Sequence, residues 1–250
     1  MATQHSVLST QHFVGFPPGG YDFFLELQAR QSREWFKANK ERYQSLWVEP
    51  LEALLADLTV RLSDVFPELP SAHRHIFRIQ RDTRFSADKS PYKTHVAAHV
   101  HVRPHSGPEW GLTPSIYLHF GLEDNVAGVG SWEFGKELLS RFREAVAGEA
   151  SGGKLQHILE SLHQAGSGLA SHETLKRVPA PYPQDHPRAE LLKLKGLFAS
   201  VADIPEELMP GPEFLDWLDQ RLHQLAPVAR WLDEALGSSA ASAQPAAGRV

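Results

Sequence analysis

The sequence predicts an α+β protein, an antiparallel β-meander of about four strands covered by N-terminal and C-terminal helices. Three observations predict it. Leu51, Leu54, Leu55, Leu58 and Leu62 recur at three-and-four spacing, the period of a helix with one apolar face. Thr94, Val96, Ala98, Val100 and Val102 alternate with Lys93, His95, His99, His101 and Arg103, the period of a strand with one apolar and one polar face. Leu215, Leu218, Leu222, Leu225, Leu232 and Leu236 lay a long apolar stripe along the C-terminal end.

Taken in order, residues 21–65 read as helical, with Pro50 starting a new helix or kinking a continuous one. The meander follows as residues 75–80, 93–103, 115–120 and 126–132. Phe77 and Ile79 face inward in the first of these. Ile116, Leu118 and Phe120 line one side of the third, with Tyr117 and His119 on the other. The connections are too short for crossover helices, so neighbouring strands run antiparallel. Beyond residue 133 the chain reads as mainly helical. Phe134, Leu138, Phe142 and Val146 make one stripe, and Leu155, Ile158, Leu159 and Leu162 another. Asp203 and Glu206 have the spacing of a capping box. Pro212 can open the last helix and Gly237 close it, with a bend at Pro227. We expect one domain over 21–237, with unstructured ends at 1–20 and 238–250.

At 250 residues and 42% hydrophobic, the chain can bury a sizeable core. It has no cysteine, which excludes disulfides, thiolate nucleophiles and cysteine-based metal sites. That usage fits a cytoplasmic protein. No run of about 18 apolar residues exists, so no membrane span is expected. The net charge of −5 argues against a general nucleic-acid binder. Neither a dinucleotide fingerprint nor a phosphate-binding G-x-x-x-x-G-K-[ST] loop occurs, and no cofactor is expected. The pair Gly128-x-Gly130 reads as a tight strand or bulge.

The polar chemistry is concentrated between Arg74 and Arg103. Seven Lys/Arg stand there against two Asp/Glu, a local net of +5 in a chain of −5, so the remainder carries −10. Such a segment is a place to hold an anion. Arg78, Arg81, Arg84, Lys89 and Lys93 bracket a turn made by Ser86, Asp88, Ser90 and Pro91. The planar guanidinium suits phosphate or carboxylate oxygens two at a time, and lysine adds a point charge. The alternative is architectural: Arg81 and Arg84 pair with Asp82, Asp88 or Glu34 and pin the loop. His95, His99 and His101 share one strand face with His119 across from them, but no carboxylate lies in the same strand, and no metal is expected. Trp35 and Phe36 read as core, while Lys176, Lys193 and Lys195 read as solvated charges.

The string FRIQRDTRFSADKSPYKTH at residues 77–95 resembles the signature of the DUF2461 family. Similar stretches are Ser32 to Lys40 with Tyr43, Leu175 to Pro179, Tyr182, Asp185 to Pro187, and Leu192 to Lys195. The resemblance runs from about Tyr21 to Leu236. It departs at Ala180-Pro181, where the family carries Lys-Gly, and after Gly130, where a proline is missing. It implies one shared fold and a shared site, with His95 and His99 at matching positions, and it implies no activity.

The functional expectation is a pocket for an anionic, phosphorylated ligand, formed by the basic loop and the polar sheet face. Arg78, Arg81, Arg84, Lys89 and Lys93 would hold the anion. Asp82, Asp88, Ser86, Tyr92, His95 and His99 would support them. A phosphorylated small molecule is the expected partner, ahead of nucleic acid or a protein docking on the same surface.

Overall fold

The computed structural model describes residues 12–69, 74–84, 88–104, 113–170, 174–201 and 203–237. Three short helices open the chain. Gly19, left-handed at φ 90°, starts α1 (Gly20–Arg30), and the Ser32 hydroxyl accepts from Trp35 N at 3.1 Å to cap α2 (Arg33–Tyr43). A π-turn over Gln44–Val48 leads into α3 (Glu49–Arg61), whose first turn contains Pro50. The five leucines that announced this helix, Leu51 to Leu62, are all buried.

The meander is present as β1 (Arg74–Ile76), β2 (His95–His101), β3 (Ser115–Gly121) and β4 (Asn125–Ser131), each pair antiparallel. The sheet then continues beyond the expected four strands. After α4 (Lys136–Ala147) and α5 (Glu149–Gln164), the chain adds β5 (Ser167–Ala170), a short α6 (Ala189–Leu192) and β6 (Leu197–Val201). The order is β1-β2-β3-β4-β6-β5, with β6 antiparallel to both neighbours. Leu197, Ala199 and Val201 do alternate with Phe198 and Ser200, but five residues next to helical patterns give too short a signal to separate from a helix end. Pairing with β4, some seventy residues away, is what makes this segment a strand.

Helix α7 (Glu213–Gly237) runs unbroken through Pro227 and packs on β4 and β6. Its six stripe leucines are buried. The same face of the sheet buries Val96, Ala98 and Val100 of β2, Ile116, Leu118 and Phe120 of β3, and Ala127 and Val129 of β4. The core also takes Phe13 and Phe16, from the stretch assigned to the N-terminal end by composition. Phe16 packs 5.2 Å from Phe120 and 5.3 Å from Trp47, and its backbone N–H bonds Met209 O at 2.8 Å. Asp203 does not cap the next turn: Pro205 precedes it without a side-chain cap, and Asp203 is left-handed at φ 51°.

One buried cation ties the helical layer. Arg188, 5% exposed, donates from Nε to Val146 O at 2.6 Å and from Nη2 to Ala147 O at 2.9 Å, satisfying carbonyls left open at the end of α4.

Candidate functional site

The sheet has one face on α7 and one turned away from it. Strand alternation sends His75 of β1, His95, His99 and His101 of β2, Ser115, Tyr117 and His119 of β3, Gly128 and Gly130 of β4 and Phe198 of β6 to this second face. Trp132, just past β4, continues the same parity. Phe77 joins them rather than pointing inward: it is half-buried, and its ring sits 5.1 Å from His99 and 6.3 Å from Tyr117. The backbone turns after β1, so only Ile79 enters the core. A cavity of about 540 Å³ opens here, lined by Phe77, His99, His101, Ser115, Tyr117 and Trp132 among others.

A hydrogen-bond chain crosses the cavity wall. His119 Nε2 lies 3.1 Å from Asp124 Oδ1, and His119 Nδ1 lies 3.2 Å from the Tyr117 hydroxyl. A carboxylate only accepts, so Nε2 carries the ring proton and Nδ1 accepts from the phenol. Burial lowers the His119 pKa, with Asp124 pulling the other way, and burial followed by the Asp124 charge pushes Tyr117 up to about 12. At neutral pH both are uncharged, and the phenol oxygen keeps its lone pairs for the cavity. His95 stacks on His119 with ring centroids 4.0 Å apart. Its cross-strand partner is Gly121, where a Cβ would come within 2.4 Å of the His95 Cβ, so the glycine makes room for His95. Burial first, then the charges of His119, Lys93 and Arg81, bring the His95 pKa down to about 3.

The basic loop forms a two-stranded ribbon at the edge of this face. Arg81 N bonds Pro91 O at 2.9 Å and Lys93 N bonds Ile79 O at 2.9 Å, around a bridge between Gln80 and Tyr92. Its cations divide into two sets. Arg84 forks onto Asp82 at 3.0 and 2.7 Å, holding that carboxyl far below the usual carboxylate range, and Lys89 Nζ bonds Thr83 O at 2.8 Å. Arg81 reaches Asp88 at 3.2 Å, and Asp88 accepts from Ser90 N and Oγ, both at 2.9 Å, which lowers its pKa. Arg78 and Lys93 pair with no carboxylate among the described residues. Lys93 is half-buried, lies 5.7 Å from the Phe77 ring centre, and has its pKa lowered by burial, then by Arg78 and Arg81.

The supporting residues separate in the same way. Tyr92 is buried and stacks on Phe36 at 4.6 Å, with Gln31 bonding both its backbone N–H and its carbonyl, so it anchors the ribbon to α2. His95 and His99 lie on the sheet face, His99 buried between His75 at 5.5 Å and His101 at 4.9 Å. Ser86 lies outside the described residues. Among the described residues no group of three or more His, Asp or Glu is arranged to hold a metal ion. Lys193 pairs with Glu190 at 2.6 Å on the helical side.

Ser115, Asp124, Trp132 and Phe198 were not anticipated as site residues. Trp132 could have been found by extending the parity of Gly128 and Gly130. Phe198 could not, because its strand was not visible.

A family model described as "Conserved hypothetical protein (DUF2461)" matches residues 20–231. No curated protein and no solved structure matches the chain.

Proposed function

The chain belongs to the DUF2461 family, whose description names no activity, and on that premise we propose that it binds a phosphorylated small molecule. The phosphate sits on Arg78, Arg81 and Lys93, and the body of the ligand lies over the sheet face beside Phe77. The observation that carries this reading is Lys93. It is a half-buried ammonium, repelled by two arginines and met by no carboxylate among the described residues. A cluster of like charges held partly out of water is costly when empty and is relieved by an anion. Arg81 Nε adds a buried donor without a hydrogen-bond partner among the described residues. Arg84 and Lys89 shape the loop, since each already bonds a group within it. The zero cysteine count supports a cytoplasmic location, which cell fractionation checks.

Calorimetric titration with pyrophosphate tests the reading. Wild type should bind it saturably, and Lys93→Gln should weaken binding about tenfold, the loss expected for one charge-assisted contact of about 1.5 kcal/mol. Equal binding by the two proteins, or no heat with either, refutes it.

A further inference from the structure

We propose that the ligand carries a planar ring as well as phosphate, as a nucleotide does, and that the ring enters a slot at the far end of the cavity from Lys93. The inference rests on the phosphate reading and adds the chemical class of the ligand. The slot follows from strand register. His101, Ser115, Gly130 and Phe198 stand side by side across β2, β3, β4 and β6 on the cavity face. The two middle positions are the smallest in the row, so the floor there is backbone and one hydroxymethyl group. The two outer positions carry rings. Gly130 has φ 136°, and a Cβ there would come within 2.1 Å of Leu197 O, so position 130 itself cannot carry a side chain. Trp132 extends the Phe198 wall, edge-on at 5.4 Å, and remains 44% exposed, an indole held at the cavity rim. Flat walls over a backbone floor favour a flat ligand, because stacking tolerates any π-face.

The other end of the cavity suits the rest of such a ligand. Phe77, which carries Lys93 over its ring, bonds through its N–H to Ala97 O at 2.8 Å, four residues along β2 from His101. At about 3.3 Å per residue the Phe77 end of the cavity, where Lys93 Nζ lies 5.7 Å from the ring centre, is about 13 Å from the slot along the strands alone, with the step across β2 and β3 in addition. That span is too long for a sugar phosphate and calls for a base, a sugar and an extended phosphate chain. Between the two ends lies the Tyr117 hydroxyl, whose proton is given to His119, so its oxygen is an acceptor for a ligand hydroxyl. Glu133 lines the slot end and disfavours phosphate there, which sets the direction of the ligand.

Calorimetry on wild type, Trp132→Ala, Ser115→Leu and Lys93→Gln tests this with four probes: ADP, pyrophosphate, ribose 5-phosphate and a thymidine hexanucleotide. Wild type should bind ADP at least tenfold more tightly than pyrophosphate or ribose 5-phosphate. Trp132→Ala and Ser115→Leu, one removing a wall and one filling the floor, should each bring ADP to within about threefold of pyrophosphate without changing pyrophosphate itself. Lys93→Gln should weaken both. If the hexanucleotide binds more tightly than ADP and loses that advantage in Trp132→Ala, the ring-plus-phosphate chemistry stands and its source is a strand. If pyrophosphate binds wild type as tightly as ADP does, the slot proposal fails while the phosphate reading survives. If neither ADP nor pyrophosphate binds, both fail together.

Discussion

Replacing Lys93 with Gln should not weaken the empty protein. An ordinary half-buried polar residue in a ribbon contributes packing and hydrogen bonds, and its loss destabilises by about 1 kcal/mol. Lys93 differs because its charge is desolvated and faces Arg78 and Arg81. The substitution removes that repulsion and keeps most of the aliphatic stem over Phe77. The unfolding free energy should therefore stay within about 0.5 kcal/mol of wild type or rise above it. Pyrophosphate at a hundred times its dissociation constant should stabilise wild type by about 2.7 kcal/mol, and Lys93→Gln at the same concentration by about half of that. The pH dependence has a fixed sign. The folded pKa of Lys93 lies below its ordinary 10.5, so the unfolded chain holds the proton over a range where the folded one has released it. Wild type should gain stability relative to Lys93→Gln as pH rises through that range toward 10.5. Urea denaturation monitored by tryptophan fluorescence, with and without pyrophosphate, measures all three quantities. A Lys93→Gln protein more than 1 kcal/mol weaker than wild type, together with no pyrophosphate effect, would show that the ribbon is architecture.

Arg188→Met should destabilise by about 3–5 kcal/mol, because the Val146 and Ala147 carbonyls lose their buried partner, and thermal denaturation checks it. Phe16→Ala should cost about 3–5 kcal/mol by the same assay, since the ring sits among Phe120, Phe214 and Trp47. His95, with a folded pKa of about 3 against 6.5 unfolded, should make stability fall as pH drops from 6.5 toward 3, and His95→Gln should flatten that fall in urea melts across the range. Asp124→Asn should lower the His119 pKa further, because the carboxylate is what raises it, and ring-proton NMR titration reports the direction.

Helices and central strands were legible because their side-chain periods are local. The leucines of α3 and α7 and the alternation in β2 and β3 each fall within one window of chain, and burial followed the stripes. The edge of the sheet was not legible in this way, because β6 owes its place to a register with β4. The slot shares that dependence: Ser115, Gly130 and Phe198 are unremarkable apart in sequence and meet only across three strands. The loop reads in sequence as either an anion site or an ion-pair network, and the structure shows ion pairs at Arg84 and Arg81. Arg84, forked onto Asp82, follows the second pattern, and Arg81 spans both, pairing with Asp88 through Nη2 while its Nε has no hydrogen-bond partner among the described residues. Lys93 has no carboxylate partner among the described residues, the feature on which the proposed anion site rests. Composition separates neither group, since what distinguishes them is whether the folded ribbon brings a cation to a carboxylate.

Native mass spectrometry of the freshly purified protein, before and after adding millimolar ADP, reads ligand occupancy without any assumption about chemistry. Wild type should show one phosphorylated adduct per chain, retained from the cell or formed with ADP, and Lys93→Gln should lose it. A wild-type spectrum that stays at the bare chain mass in both conditions, with no adduct at any ADP concentration up to saturation of a control nucleotide-binding protein, would contradict the assignment of the sheet face as a ligand site.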